Sequence, residues 1–165
     1  MTGYQPRVQS FGRSWYDVDL NGCDTRNDIL DRDLKPVVLK GRSKCKVATG
    51  TLNDPYTGQT IKFVQADAPS AVQIDHVVAL AAAWRTGAKK WSGEHRLFSA
   101  NDPLVLLAAD GPANNAKGDS DAAEWLPAAS FQCRYVARQV AIKTKFELWV
   151  TPKEREAMTD VLTNC

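Results

Sequence analysis

At 165 residues, with 44% hydrophobic and 24% charged side chains, the chain has the size of one compact domain able to bury a continuous core. Its longest apolar run, Val77 to Trp84, is ended by Arg85 and falls short of the roughly 18 residues of a membrane span, which excludes a membrane-spanning helix. The formal net charge of +2 is too small to identify a nucleic-acid partner by itself.

Met1 to Pro6 lacks the basic and apolar regions of a signal peptide, so the chain reads as cytosolic or as a mature form with an added start Met. Asp17, Asp19, Asn21 and Gly22 match the first half of a calcium-binding EF-hand loop; Asp24 and Asp28 then depart from its second half. The spacing of Ile29, Leu30 and Leu34 predicts a helix over Asp24 to Leu34, with Asp24 or Thr25 as N-cap. Cys45 to Leu52 and Thr60 to Gln65 are β-prone runs flanking a turn-rich hexapeptide at 53–58, which predicts a hairpin with an ordered loop.

Val72 to Leu80 is β-rich but carries Asp75 and His76 inside an apolar run, where adjacent ionisable groups are costly unless they face a site. Helix is expected over Ala81 to Trp91 and a buried strand over Pro103 to Ala109. Pro112 then opens a helix carrying Asn114 to Glu124. Tyr135, Val136, Val140 and Phe146 predict an amphipathic helix over Phe131 to Phe146. On it Arg134, Arg138, Lys143 and Lys145 are either ordinary solvated charges or a phosphate-tracking face. Thr151-Pro152-Lys153-Glu154 starts a last helix towards Cys165.

Four cysteines and only two histidines, with no C-x-x-C pair, argue against structural zinc. Two disulfides are the better reading, and they imply an extracellular setting. Of three possible connectivities, Cys23 with Cys45 and Cys133 with Cys165 is favoured because each staples one end of the chain locally.

Three features in order carry the chemistry: Asp75-His76, Asn101-Asp102-Pro103, and Asn114-Asn115-Ala116-Lys117. On these residues the chain resembles the HNH, or ββα-metal, nucleases. Segments 21–28, 54–58 and 135–139 extend the resemblance to secreted bacterial HNH nucleases related to the C-terminal domain of GmrSD restriction enzymes. The resemblance implies an α+β fold in which a ββα-metal finger, about 72–124, is embedded among helices and a hairpin in one domain spanning 1–165. It implies a secreted, monomeric endonuclease acting on DNA, with RNA left open as an alternative substrate, and leaving 5′-phosphate and 3′-hydroxyl ends.

By the same resemblance His76 is the general base on water, Asp75 and Asn114 hold one Mg²⁺ or Mn²⁺, Asn101 orients the loop that fixes His76, and Lys117 contacts phosphate. Such a cation would polarise the phosphate and stabilise the leaving oxygen. Asn114 is preferred to Asn115 because residues three apart share a helix face, and Asn114 then sits with Lys117. Substrate contacts fall to Arg138 and Arg26, although Arg26 reads equally well as an ion-pair partner of Asp28. Taken alone, His76 would be a satisfied core histidine; the downstream asparagines alter that reading.

Two expectations can be checked directly. Adjacent Asp75 and His76 in a regular strand point to opposite faces, so the strand must end or bend there if both serve one site. A base with an unperturbed value near 6.5 would make cleavage decline below that pH unless the site shifts it. Two other classes compete with the nuclease: a disulfide-stapled, calcium-dependent binding or adhesion module built on Asp17 to Asp28, and a catalytically inactive domain that binds nucleic acid.

Overall fold

The computed structural model describes residues 3–5 and 7–165, so the leader reading of Met1 to Pro6 falls partly on residues outside that description. Among the described residues the chain is a mixed α+β structure with two small antiparallel sheets, the class expected. No helix among them is long and apolar enough to cross a membrane.

After a short helix α1, Arg7–Phe11, helix α2 spans Thr25–Asp33. Asp24 is its N-cap, accepting from the Asn27 amide, and the helix stops before Lys35-Pro36, where the proline disfavours helical backbone in the preceding residue. Ile29 and Leu30 point inward from it. Strands β1 (Val37–Leu39), β2 (Val47–Asn53) and β3 (Thr60–Val64) make one antiparallel sheet in that order. The β2–β3 hairpin is as expected; β1 is an addition too short to show periodicity.

The hairpin loop is ordered by one buried side chain. Asp54 Oδ2 accepts from the Thr57 amide at 2.8 Å and the Thr57 hydroxyl at 2.6 Å, while Oδ1 accepts from the Asp110 amide at 2.9 Å. One carboxylate thus shapes its own turn and docks it on a distant strand.

The second sheet pairs β4 (Val72–His76) with β5 (Leu106–Asp110), and α5 (Gly111–Lys117) follows directly. Between the strands lie α3 (Leu80–Thr86), a single 3-10 turn at Ala88–Lys90, and α4 (Gly93–Ala100). The helix expected over 81–91 therefore breaks at Gly87. The helix expected to reach Glu124 ends at Lys117, because Gly118 takes a positive φ of 54°.

The ribbon of β4 and β5 separates two apolar clusters. Ile29, Leu30, Phe63, Val72, Ile74 and Leu106 form one on the α2 side. Leu107 and Ala109 face the other, with Val77, Tyr56, Tyr135 and Val136.

On its outer edge β5 has no strand neighbour, and side chains replace one. Arg32 and Arg138 each donate to the Leu106 carbonyl at 2.8 Å, the Ala108 amide donates to Asp33 Oδ2 at 2.9 Å, and the Asp110 amide is held by Asp54. Arg138 also donates to the carbonyls of Leu104 and Pro103, so it is occupied by backbone. Converting Arg138 to Met should remove the donor to the Leu104 carbonyl, while Arg32 still serves those of Pro103 and Leu106, and lower stability by about 1 kcal/mol, read by urea denaturation.

Helices α6 (Ala129–Lys145) and α7 (Pro152–Thr163) close the structure. Thr151 caps α7 as its sequence predicts, while Glu154 turns inward to pair with Lys143 at 2.9 Å, both side chains being buried. The disulfides are Cys23–Cys45 and Cys133–Cys165, the pairing favoured from the sequence. The second ties α7 to α6, and replacing Cys133 and Cys165 by Ala should cost about 3 kcal/mol on the loop-entropy view, read as a lower denaturation midpoint.

Candidate active site

Two antiparallel strands followed at once by a helix bring all three sequence features to one end of the molecule. The β4–β5 register runs unbroken, Val72 opposite Asp110 through His76 opposite Leu106. The strand ends at His76, after both residues have taken their places in the ladder, and no bend separates them. Strand alternation therefore sends Asp75 to the face of Leu107 and His76 to the face of Leu106.

His76, at the end of β4, is half-buried, and its Nε2 lies 2.9 Å from the carbonyl oxygen of Ala100. A carbonyl only accepts, so Nε2 carries the hydrogen and Nδ1 is the lone-pair nitrogen of the neutral ring. Burial, then the nearby Arg7 charge, pushes the imidazole from its usual 6.5 down to about 3, against the opposing pull of the Ala100 hydrogen bond.

Asn101 follows Ala100 and is fully buried. Its amide nitrogen donates to the carbonyls of Leu97 at 2.8 Å and Arg13 at 3.3 Å; its oxygen accepts from the Tyr16 amide and Arg7 Nη2, each at 3.2 Å. Every polar valence of the side chain is thereby used, and it ties the end of α4 to α1 and to the chain at 13–16. Arg7 Nη2 also reaches the Ala100 carbonyl at 3.3 Å, and the guanidinium lies 5.3 Å from the Trp15 ring centroid. Neither Arg7 nor Trp15 was legible as a site residue: a five-residue helix and an isolated aromatic leave no periodic signal.

The depressed imidazole value sets a sign for stability. Between about pH 6.5 and 3 the unfolded chain binds a proton at this residue and the folded chain does not, so this residue's contribution is lost as pH falls through that window. An NMR titration should find the His76 ring neutral throughout pH 7 to 4.5.

On the opposite face Asp75 is buried. Oδ1 pairs with Lys117 Nζ at 3.0 Å and Oδ2 accepts from the Tyr56 hydroxyl at 2.5 Å. Lys117 is fully buried and donates a second bond to the His76 carbonyl at 2.9 Å. Burial raises the Asp75 carboxyl above the usual range, against the pull of Lys117 and Tyr56; it also drives the Tyr56 phenol well up, helped by the Asp75 charge. Tyr56 sits in the turn segment 54–58, where an aromatic among turn residues was the available clue.

These contacts bear on two expectations. Lys117 is the buried counter-ion of Asp75, with its second bond to the His76 carbonyl. A divalent cation at Asp75 would have to displace that ammonium from a buried carboxylate, so the donor pair Asp75 and Asn114 does not fit one in this arrangement. Asn114 does share the inward face of α5 with Lys117, while Asn115 is exposed; its amide donates to Gln73 Oε1 at 2.8 Å and docks α5 on β4.

The other candidates lie apart. Arg26 and Asp28 form no ion pair: the guanidinium of Arg26 reaches the carbonyls of Pro69 and Val72, and Asp28 accepts from Asn21. Arg138 belongs to the β5 edge. In the loop from Asp17, the carboxylates of Asp17 and Asp19 accept from the backbone amides of Asn21 and Gly22. No group of three or more His, Cys, Asp or Glu side chains converges as a cation site among the described residues.

A ββα unit with His, Asn and Asn-x-x-Lys in this order is the frame of a nuclease-like domain. Residues 24–161 match the C-terminal domain of GmrSD restriction endonucleases, and the chain belongs to that family. It is also 36% identical over 147 residues to a protein of Arthroderma benhamiae described as an uncharacterized secreted protein, covering 87% of this chain and 68% of the relative. No solved structure matches.

Proposed function

We propose that this protein is an endonuclease that hydrolyses phosphodiester bonds of DNA, with RNA as the alternative substrate to be tested, and with His76 as general base. The observation that carries the reading is the anchored imidazole: Nε2 is fixed on the Ala100 carbonyl, so Nδ1 is the acceptor for a water proton, and burial together with Arg7 keeps the ring neutral. Asn101 is a positioning residue, holding the backbone that bears that carbonyl. Membership of a restriction-endonuclease family supports nucleic acid as substrate.

With no base-reading module in the sequence, cleavage should be largely independent of sequence. The two disulfides and the description of the relative as secreted support an extracellular site of action. A requirement for Mg²⁺ or Mn²⁺ is part of the proposal on family grounds, and no step is assigned to it here because the Asp75 and Asn114 donors do not fit it.

The test is digestion of plasmid and single-stranded substrates by the purified protein with Mg²⁺, Mn²⁺ or EDTA, followed by end-group analysis. Cleavage that is lost in EDTA and leaves 5′-phosphate and 3′-hydroxyl ends is the expected outcome. An inert protein that still binds the substrate would favour the non-catalytic reading.

A further inference from the structure

The charge of the chain is unevenly placed. Residues 34–53 contain Lys35, Lys40, Arg42, Lys44 and Lys46 and no acidic residue, although the whole chain carries only +2. Four of these cations fall within the seven residues joining β1 to β2, all four are exposed, and none forms an ion pair with a described residue.

This loop is held rigidly. Cys45 is bonded to Cys23 beside α2, the Lys40 amide donates to the Lys46 carbonyl at 2.8 Å, Ser43 Oγ accepts from the Cys45 and Lys46 amides, and the Val47 amide donates to Asn27 Oδ1 at 2.9 Å. Lys40 and Lys46 line a cleft of about 360 Å³ with Arg26, Asn27 and Gln65, so the cations meet further hydrogen-bond donors in a concave wall. Arg26 Nη2 lies 3.5 Å from the carbonyl of Val72, the first residue of the strand that ends at His76. Four strand rises of about 3.3 Å put the two ends roughly 13 Å apart. At about 3.4 Å of axial rise per nucleotide this spans about four nucleotides of one strand.

We infer that the disulfide-pinned β1–β2 loop and Arg26 form a binding track for the phosphodiester backbone of nucleic acid, flanking the site at His76 by about four nucleotides. This rests on the nuclease reading for its direction towards His76, but its binding component does not depend on turnover. Exposed loop cations without an ion pair among the described residues, two of which line the groove beside Arg26, suit a polyanion that lies along the surface, and phosphate contacts of this kind carry no base information.

The test measures binding of a 20-nucleotide DNA duplex in EDTA as a function of salt. Two charge-matched variants are compared with the wild type: Lys40→Gln/Arg42→Gln/Lys44→Gln/Lys46→Gln, and a control with Lys89, Lys90, Lys153 and Arg155 changed to Gln. The loop variant should bind about 100-fold more weakly at 0.1 M salt, with the slope of log K against log salt reduced by about 3 to 4, each single substitution removing about 0.9. Unchanged melting temperatures verify that each variant folds.

Equal losses in the loop and control variants would overturn the inference, since total charge would then suffice. So would unchanged duplex binding with loss of binding to phosphatidylserine vesicles, which would assign the loop to a membrane surface. If the wild type binds as expected yet cuts nothing, the track stands and the nuclease reading falls. If the loop variant cuts and binds the duplex as the wild type does, the track falls and the nuclease reading stands.

Discussion

Lys117→Met should destabilise the protein by about 3–5 kcal/mol, because it strands the buried carboxylate of Asp75 without its one cationic partner among the described residues. For a chain of this size that is a fall in melting temperature of very roughly 6–20 °C. The Tyr56 hydroxyl remains on Asp75, yet one neutral donor does not offset the desolvation of a charge. Adding Asp75→Asn removes that charge, so the double variant should recover much of the loss, and a double-mutant cycle by urea denaturation measures the coupling. A Lys117→Met protein as stable as the wild type, but weaker in substrate binding, would restore the phosphate-contact role expected from sequence.

His76→Ala should instead leave stability nearly unchanged and lower the cleavage rate by about 10² to 10⁴-fold. Among the described residues the ring's hydrogen bond is to the Ala100 carbonyl, and that carbonyl keeps Arg7 Nη2 as a donor, so truncation strands no acceptor. Single-turnover cleavage and a thermal melt of the same preparation separate the two effects. A fully active variant would remove His76 from the mechanism.

The two substitutions divide a dipeptide that the sequence presents as one unit. Reading Asp75-His76 as a pair was sound as far as order and strand placement, and alternation along a strand already posed the geometric conflict. What the sequence did not contain was the partner that resolves it: Lys117, which looks like a surface charge at the end of a polar helix, is drawn inward because the helix begins immediately after β5 and lies back on β4.

Asn101 was legible only through the order of the motif. Of its partners the Leu97 carbonyl alone is close in sequence; those at Arg13, Tyr16 and Arg7, like the carbonyls held by Arg138 and Arg7, lie 32 to 94 residues away, where no local pattern records them. The hairpin, the α7 cap and the disulfide pairing were legible because local spacing determines them. Element ends were less so, since Gly118 ends α5 while the apolar pattern suggests continuation.

The side chains that occupy the outer rim of β5 also limit how this molecule can associate. With Leu106, Ala108 and Asp110 already engaged by Arg32, Arg138, Asp33 and Asp54, no visiting strand finds the alternating donors and acceptors it would need there. Templated growth into fibrils through this rim, and capture of an extended peptide by it, are both closed off by groups that move with the fold itself.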